Sequence, residues 1–184
     1  MFYDTEKNDH GLPHNPYKSI VVPRPIGWIS TLDLEGRVNL APFSPFNNLG
    51  YDPPYVMFSG SHKPVSGDLK DTVKHAIETR AFVCNMATHD LRDAVVKSAS
   101  FFDADVDEME VIGLTKAKSR YIAPPRVAES PVHLECRLHT VLVLPGYAVD
   151  TTNHVVVGKV VGVHIDDDAL TAEGSAMKQC VADA

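Results

Sequence analysis

Positive charge is scarce in this sequence. Its 184 residues hold 17 Lys and Arg against 24 Asp and Glu, a formal net charge of −7, and the cations form no block. Such a chain offers nucleic acid no electrostatic footprint, so a phosphate-bearing ligand must be held by a few local cations or backbone amides. Cysteine is scarce as well. Cys84, Cys136 and Cys180 lie far apart, form no C-x-x-C pair and leave an odd member, which points to reduced thiols in a cytoplasmic protein rather than to a disulfide framework. No run approaches the roughly 20 apolar residues that a membrane-spanning helix needs, and the opening MFYDTEKNDHG has neither the basic start nor the apolar stretch of a secretory signal. Internal repeats and low-complexity segments are missing too.

The chemical signatures that are missing narrow the function. There is no G-x-S-x-G, no Cys nucleophile motif and no P-loop: the glycines of GSHKPVSG end in Asp68 rather than Lys-Ser/Thr. G-x-G-x-x-G is absent, which excludes a dinucleotide bound in the Rossmann manner. Nine histidines are scattered singly, without H-E-x-x-H or Cys partners, so no metal site is expected. Asp103, Asp105 and Asp107 have the spacing of a calcium loop, but its sixth position is Glu108 instead of Gly and its twelfth is Leu114 instead of Glu. A solvated acidic loop is the simpler reading.

What is present is a single domain's worth of chain, 44% hydrophobic and 22% charged. Residues 1–18 read as an irregular lead-in. Short strands are predicted over Ser19–Val22, Gly27–Leu32, Val38–Leu40 and Tyr55–Ser59. A helix is predicted over Lys70–Arg80, with Val73, Ala76 and Ile77 at helical spacing, then a strand over Ala81–Ala87 and a helix over Asp90–Ser98 with Thr88 as N-cap. Phe102–Arg126 reads as loop. PVHLECRLHTVLVL alternates Val132, Leu134, Cys136 and Leu138 against His133, Glu135, Arg137 and His139, a half-buried strand with both histidines off the core face. Asn153–Ile165 reads as its partner, with Gly158 and Gly162 marking a bend or bulge. That order suits a mainly β protein, an antiparallel barrel with helices packed outside, better than a parallel βαβ sheet.

The N-terminal third carries an unusual constellation. A flat cofactor with a phosphate tail asks for an apolar slot, hydrogen-bonding groups at its rim and a few donors for the phosphate. Arg24–Thr31 (RPIGWIST), Asn39–Asn48 (NLAPFSPFNN), Lys63 and Lys70-Asp71-Thr72 supply these. Pro42 and Pro45 stiffen their segment, and the N–H groups of Leu40, Ala41, Phe43 and Ser44 are expected to be free for a ligand. Lys70-Asp71-Thr72 opens a helix, where unpaired amides and the positive dipole end favour an anion. A Pro-rich barrel corner beside a capped helix accounts for the same residues without a ligand, and physical chemistry alone leaves both readings open.

VVPRPIGWIST (Val21–Thr31), NLAPFSPFNN, DPPYVMFS (Asp52–Ser59), KDT (Lys70–Thr72) and AFVCN (Ala81–Asn85) stand in one order and spacing. Together they resemble the flavin reductase-like family of FMN-binding split-barrel proteins, in its flavoredoxin-type branch. ESPVHLEC and VVVGKVVGVHIDD are similar to the family's later strands, so the likeness covers roughly Gly11 to Asp168.

The resemblance implies a six-stranded antiparallel Greek-key split barrel with flanking helices, a homodimer, and one FMN per subunit near the dimer interface. By the same likeness, Arg24, Pro25, Ile26, Ser30 and Thr31 line one side of the flavin site. Asn39, Leu40, Ala41 and Ser44 meet the ring's rim and the ribityl chain, with Phe46 and Asn47 at the edge. Ser59, Lys63, Lys70 and Thr72 stand at the phosphate. NAD(P)H is the implied co-substrate of a flavin reductase. A flavin-binding electron carrier reduced by a redox protein partner, and a structural dimer without flavin, are the alternatives. Family members usually continue into an Arg-Leu-Gly-like motif and a Tyr, whereas this chain ends GSAMKQCVADA, so an atypical tail is expected over 169–184, with less cover over the flavin.

Overall fold

The computed structural model describes residues 1–63, 67–148, 151–172 and 174. The expected tail therefore falls largely outside the described residues. Strands β1 (Gly27–Leu32), β2 (Val38–Phe43), β3 (Phe46–Tyr51) and β4 (Pro54–Gly60) come first, after the one-turn helix α1 (Tyr17–Ile20). Helix α2 (Asp71–Thr79), strand β5 (Ala81–Met86), and helices α3 (Arg92–Lys97) and α4 (Glu108–Ile112) follow. The two-residue strands β6 (Lys116–Ala117) and β7 (Arg126–Val127) pair with each other, and the long strands β8 (Val132–Pro145) and β9 (Thr152–Ile165) complete the molecule.

Seven strands form one antiparallel sheet in the order β2-β1-β5-β8-β9-β4-β3. Its outer strands, β2 and β3, are joined by only Ser44 and Pro45, and among the described residues no ladder pairs β2 with β3 or β4. The sheet thus curls until its edges meet at a covalent corner without zipping shut, which is a split barrel. The strand beyond the six anticipated is β3.

Ile29, Phe43, Phe58, Val73, Phe82 and Val156 form part of the inner core. Trp28, Val38, Leu40, Met109 and Val127 form a second cluster, covered by Leu91, Val95 and Ile112 from the helical side. Strand β1 is consequently buried on both faces, and each apolar side chain there contributes the roughly 1.5–3 kcal/mol expected for full burial.

Several local expectations are corrected. Ser19–Val22 is not a strand: Asn15 Oδ1 accepts the N–H of Tyr17 at 2.9 Å, and with Pro16 behind it this starts a helical turn. Strand β2 runs on through Pro42 to Phe43, because β2 is an edge and Pro42 needs no partner for a missing N–H there. Thr88 does not cap α3; its carbonyl accepts the N–H of Leu91 at 3.1 Å in a preceding turn, and the cap position is Leu91. The Phe102–Arg126 segment holds α4 and the small β6–β7 pair. His133 is buried, 2% exposed, and Glu135 is fully buried. The strict alternation fails on β8 because its pairing with β9 shifts register between Glu135 and Cys136 and again between Leu138 and Thr140. Those shifts lie opposite Gly162 and Gly158, where a bulge was anticipated. A Cβ at Gly158 would meet the Phe82 ring at 2.3 Å, so glycine is required there by close packing.

Candidate functional site

A cavity of about 220 Å³ opens where β2 passes the N-terminus of α2. Asn39, Ala41 and Phe43 of β2 form one wall, Lys63, Lys70, Asp71 and Thr72 a second, and the Ser98–Phe102 segment with Glu108 a third. The segment is fixed by Trp28, whose indole N–H donates to Ser98 Oγ at 2.9 Å, while that hydroxyl donates to Val95 O. Helix α2 starts as its sequence suggests: Thr72, Val73, His75 and Ala76 are buried, and Lys74 N–H donates to Lys70 O at 3.0 Å. By position, the first amides of the helix have no acceptor within it, and its positive dipole end faces the cavity wall. Gly60 allows this closeness, since a Cβ there would lie 2.6 Å from Val73 Cγ2.

The two lysines are held differently. Lys63 Nζ is 2.7 Å from Asp71 Oδ1, whereas Lys70 Nζ sits over the Phe43 ring, 5.7 Å from its centroid. Asn39 Nδ2 donates to Thr72 Oγ1 at 3.3 Å, tying β2 to α2. Glu108 is the residue that sequence reasoning missed. Far from solvating the whole acidic run, the fold makes Asp107 the N-cap of α4, accepting the Glu110 N–H at 3.2 Å, and buries Met109 in the second cluster. Glu108, 9% exposed, is thereby turned into the cavity region, where its Oε2 accepts the Leu40 N–H at 3.0 Å. Burial pushes its carboxyl up to about 7, against the opposing pull of that N–H. The buried Met109 and the capping Asp107 flanking it were the only sequence signals.

Leu40's amide is thus not free. Since Leu40 and Pro42 face outward from the edge, the alternation of an antiparallel ladder turns the amides of Ala41 and Phe43 toward β1, opposite Ile29 and Gly27. Three of the four N–H groups expected to be free are thus engaged, Ala41 and Phe43 in the ladder and Leu40 by a carboxylate.

A second cavity, about 560 Å³, lies on the other side of the same corner. Pro23, Pro25, Pro45, Phe46 and Met57 give it apolar walls, and Arg24, Ser44 and Asn47 add polar ones. Arg24 Nη1 donates to the carbonyls of Lys18 (3.0 Å) and Val21, which folds the lead-in against the cavity beside Tyr17.

The chain matches the model of the flavin reductase like domain over residues 19–178. It belongs to the flavin reductase-like family. A curated relative from Aquifex aeolicus, itself uncharacterised, is 37% identical over 151 residues, 82% of this chain and 74% of that protein. The crystal structure of nitrilotriacetate monooxygenase component B from Bacillus cereus superimposes with a TM-score of 0.83 at 27% identity, covering 94% of this chain and 85% of that one. A split barrel domain protein from Shewanella frigidimarina, at 22% identity and TM-score 0.80 over 98% of this chain and 88% of its own, shows the same fold.

Within this family member, the fifteen residues singled out from sequence divide by location. Asn39, Ala41, Lys63, Lys70 and Thr72 line the first cavity; Arg24, Pro25, Ser44, Phe46 and Asn47 line the second. The remaining five line neither of the two. Ser30 is fully buried, its hydroxyl donating to Pro125 O at 2.6 Å and accepting from Asn85 Nδ2 at 3.1 Å. Thr31 is fully buried and hydrogen-bonded to His75 Nδ1 at 3.4 Å. Leu40 packs in the second cluster, Ile26 is exposed at the start of β1, and Ser59 lies half-buried on β4, its N–H donating to Pro45 O at 2.9 Å.

Proposed function

We propose that the protein is an FMN-dependent oxidoreductase that takes a hydride from NAD(P)H and passes electrons to free flavin or another acceptor. The carrying observation is one corner, Phe43–Ser44, with a small cavity that holds two lysines and a helix N-terminus on one side and a larger apolar cavity on the other. A phosphate-tailed planar ligand requires that division. The larger volume lies in the usual range for small-molecule sites, about 300–1,000 Å³. When bound, FMN supplies hydride acceptance and electron release, so a catalytic triad is not needed.

The chain's own residues bind and orient. Lys70, Lys63, Thr72 and the first amides of α2 receive the phosphate. Asn39 and Ala41 border the first cavity and Ser44 the second, along one strand and its corner. Pro25, Pro45 and Phe46 offer a flat apolar wall to the ring and keep water from it, with Arg24, Ile26 and Asn47 at its rim. Ser59 holds this wall through its N–H to Pro45 O, whereas Ser30, Thr31 and Leu40 act from the buried interior. The exposed apolar side chains Tyr17, Ile20 and Val21, together with Leu142, Val143 and Leu144, suit burial between two copies of the chain. No described helix is long and apolar enough to cross a membrane, and we place the protein in the cytoplasm.

A second reading is a flavin-binding electron carrier that exchanges electrons with a protein partner. It draws on the 27% identity to a protein named as one component of a monooxygenase. Steady-state oxidation of NADH and NADPH with free FMN separates the two. Catalytic consumption of either nucleotide is expected; bound FMN that only a protein partner reduces favours the carrier, and a protein that takes up no FMN overturns both.

A further inference from the structure

We propose that Glu108 takes up a proton when the phosphate-bearing flavin binds, so that this one buried carboxyl sets the site's affinity for FMN. The inference rests on reading the cavity at the start of α2 as the phosphate end.

The charges around the cavity carry the argument. Its lining holds two cations, Lys63 and Lys70, and two carboxyls, Asp71 and Glu108. Lys63 is already engaged by Asp71 at 2.7 Å. With Glu108 ionised, the formal charges of the lining cancel, and an arriving phosphate meets only the partial positive charge of the helix terminus. With Glu108 neutral, one cation is left uncompensated, and the carboxyl gains an O–H that can donate to a phosphate oxygen. Glu108 Oε2 already accepts the Leu40 N–H at 3.0 Å, and its own backbone N–H adds a second pull toward the ionised form that burial overcomes.

The other groups that face Glu108 do not substitute for it. On α4 and its cap, Asp107 and Glu110 are tied to Lys116 of β6 at 2.5 and 2.7 Å. On α2, Lys70 and Asp71 face the cavity, while His75 turns to Thr31 and is held neutral by burial. The adjoining stretch of β2 and the Ser98–Phe102 segment contribute no titratable side chain, and Asp103 and Asp105 point to solvent. Burial sets Glu108 to change charge at about 7, whereas the second ionisation of a phosphate monoester, near about 6, is nearly complete by then.

The proton comes from solvent and is returned when the ligand leaves, so FMN affinity should fall with rising pH, by up to about tenfold per unit above 7. The test is the dissociation constant of FMN, read from flavin fluorescence between pH 6 and 9, for the wild type and Glu108→Gln, with riboflavin in parallel. The wild type should lose FMN affinity above pH 7, the variant should hold a constant and tighter affinity there, and riboflavin should show no slope in either. The same slope for FMN in both proteins overturns the inference while leaving FMN binding intact; failure of FMN to bind at any pH removes both. On the wild type alone, calorimetry at pH 8 in two buffers of different ionisation enthalpy should count about one proton taken up per FMN. A count of zero contradicts the proposal.

Discussion

Glu135 shows how a single charged residue can organise a wall of this barrel. Although fully buried, its carboxylate accepts the amides of Arg120 and Tyr121, both at 2.7 Å, and His164 Nε2–H at 2.5 Å. Burial alone would raise its pKa, but these donors outweigh it and hold the group below the ordinary carboxylate range. The sign follows from proton linkage: stability from Glu135 is fully present above its unfolded-state pKa and is lost as pH falls through the lowered folded value. Glu135→Ala leaves the part-buried amides of Arg120 and Tyr121 without their acceptor and a gap in the wall, an expected loss of about 1–3 kcal/mol in urea denaturation at neutral pH. The loss should shrink as pH is lowered into the acid range. Neighbouring His133 has its state fixed by neighbours: Arg126 donates to Nδ1 at 3.3 Å, Nε2–H donates to Val127 O at 2.7 Å, and burial lowers its pKa. None of this was visible in the alternation of PVHLECRLHTVLVL, because a one-residue bulge reverses which side chains face inward.

Among the elements, those decided locally were legible and those decided by distant partners were not. Helix α2 was predicted as Lys70–Arg80 and runs Asp71–Thr79, since its apolar spacing and first-turn Asp71 act within a few residues. Strand β1 was predicted to its observed ends. Strand β3 escaped notice because the apolar residues of FNNLGY do not alternate and the segment is largely exposed; it pairs with β4 alone. Helix α4 likewise depends on the Asp107 cap, the Lys116 ion pairs and the burial of Met109. For the site, the residue blocks were legible but their division between two cavities was not, because only the fold sends Ser30 and Thr31 into the interior. The bulged β8–β9 pair gives a test at this scale. Gly158→Ala drives a methyl group into the Phe82 ring and within 3.0 Å of Cys136 Cβ, so a loss of about 1–3 kcal/mol in thermal or urea unfolding is expected. An unchanged midpoint would show that the barrel wall yields more easily than its packing suggests.

For the molecule as a whole, the split at the β2–β3 corner places two cavities at the seam of the barrel, so the fold's unsealed edge and its proposed ligand site coincide. The long β8–β9 hairpin carries Leu142, Val143 and Leu144 beyond the core, each at least 43% exposed. Three consecutive exposed apolar residues on a long hairpin are a liability in an isolated monomer. Sedimentation equilibrium at micromolar concentration should therefore find twice the 20.1 kDa chain mass, and Val143→Glu should shift the population toward the single chain. The central claim, that the start of α2 receives a flavin phosphate, is met most directly by titrating the wild type and Lys70→Ala with FMN and with riboflavin under identical conditions. One charge-assisted contact to phosphate corresponds to about 1.5–3 kcal/mol, so FMN should bind the wild type about tenfold to a hundredfold more tightly than riboflavin, and Lys70→Ala should remove most of that difference. Equal affinities for the two flavins in the wild type, or uptake of neither, would contradict the account.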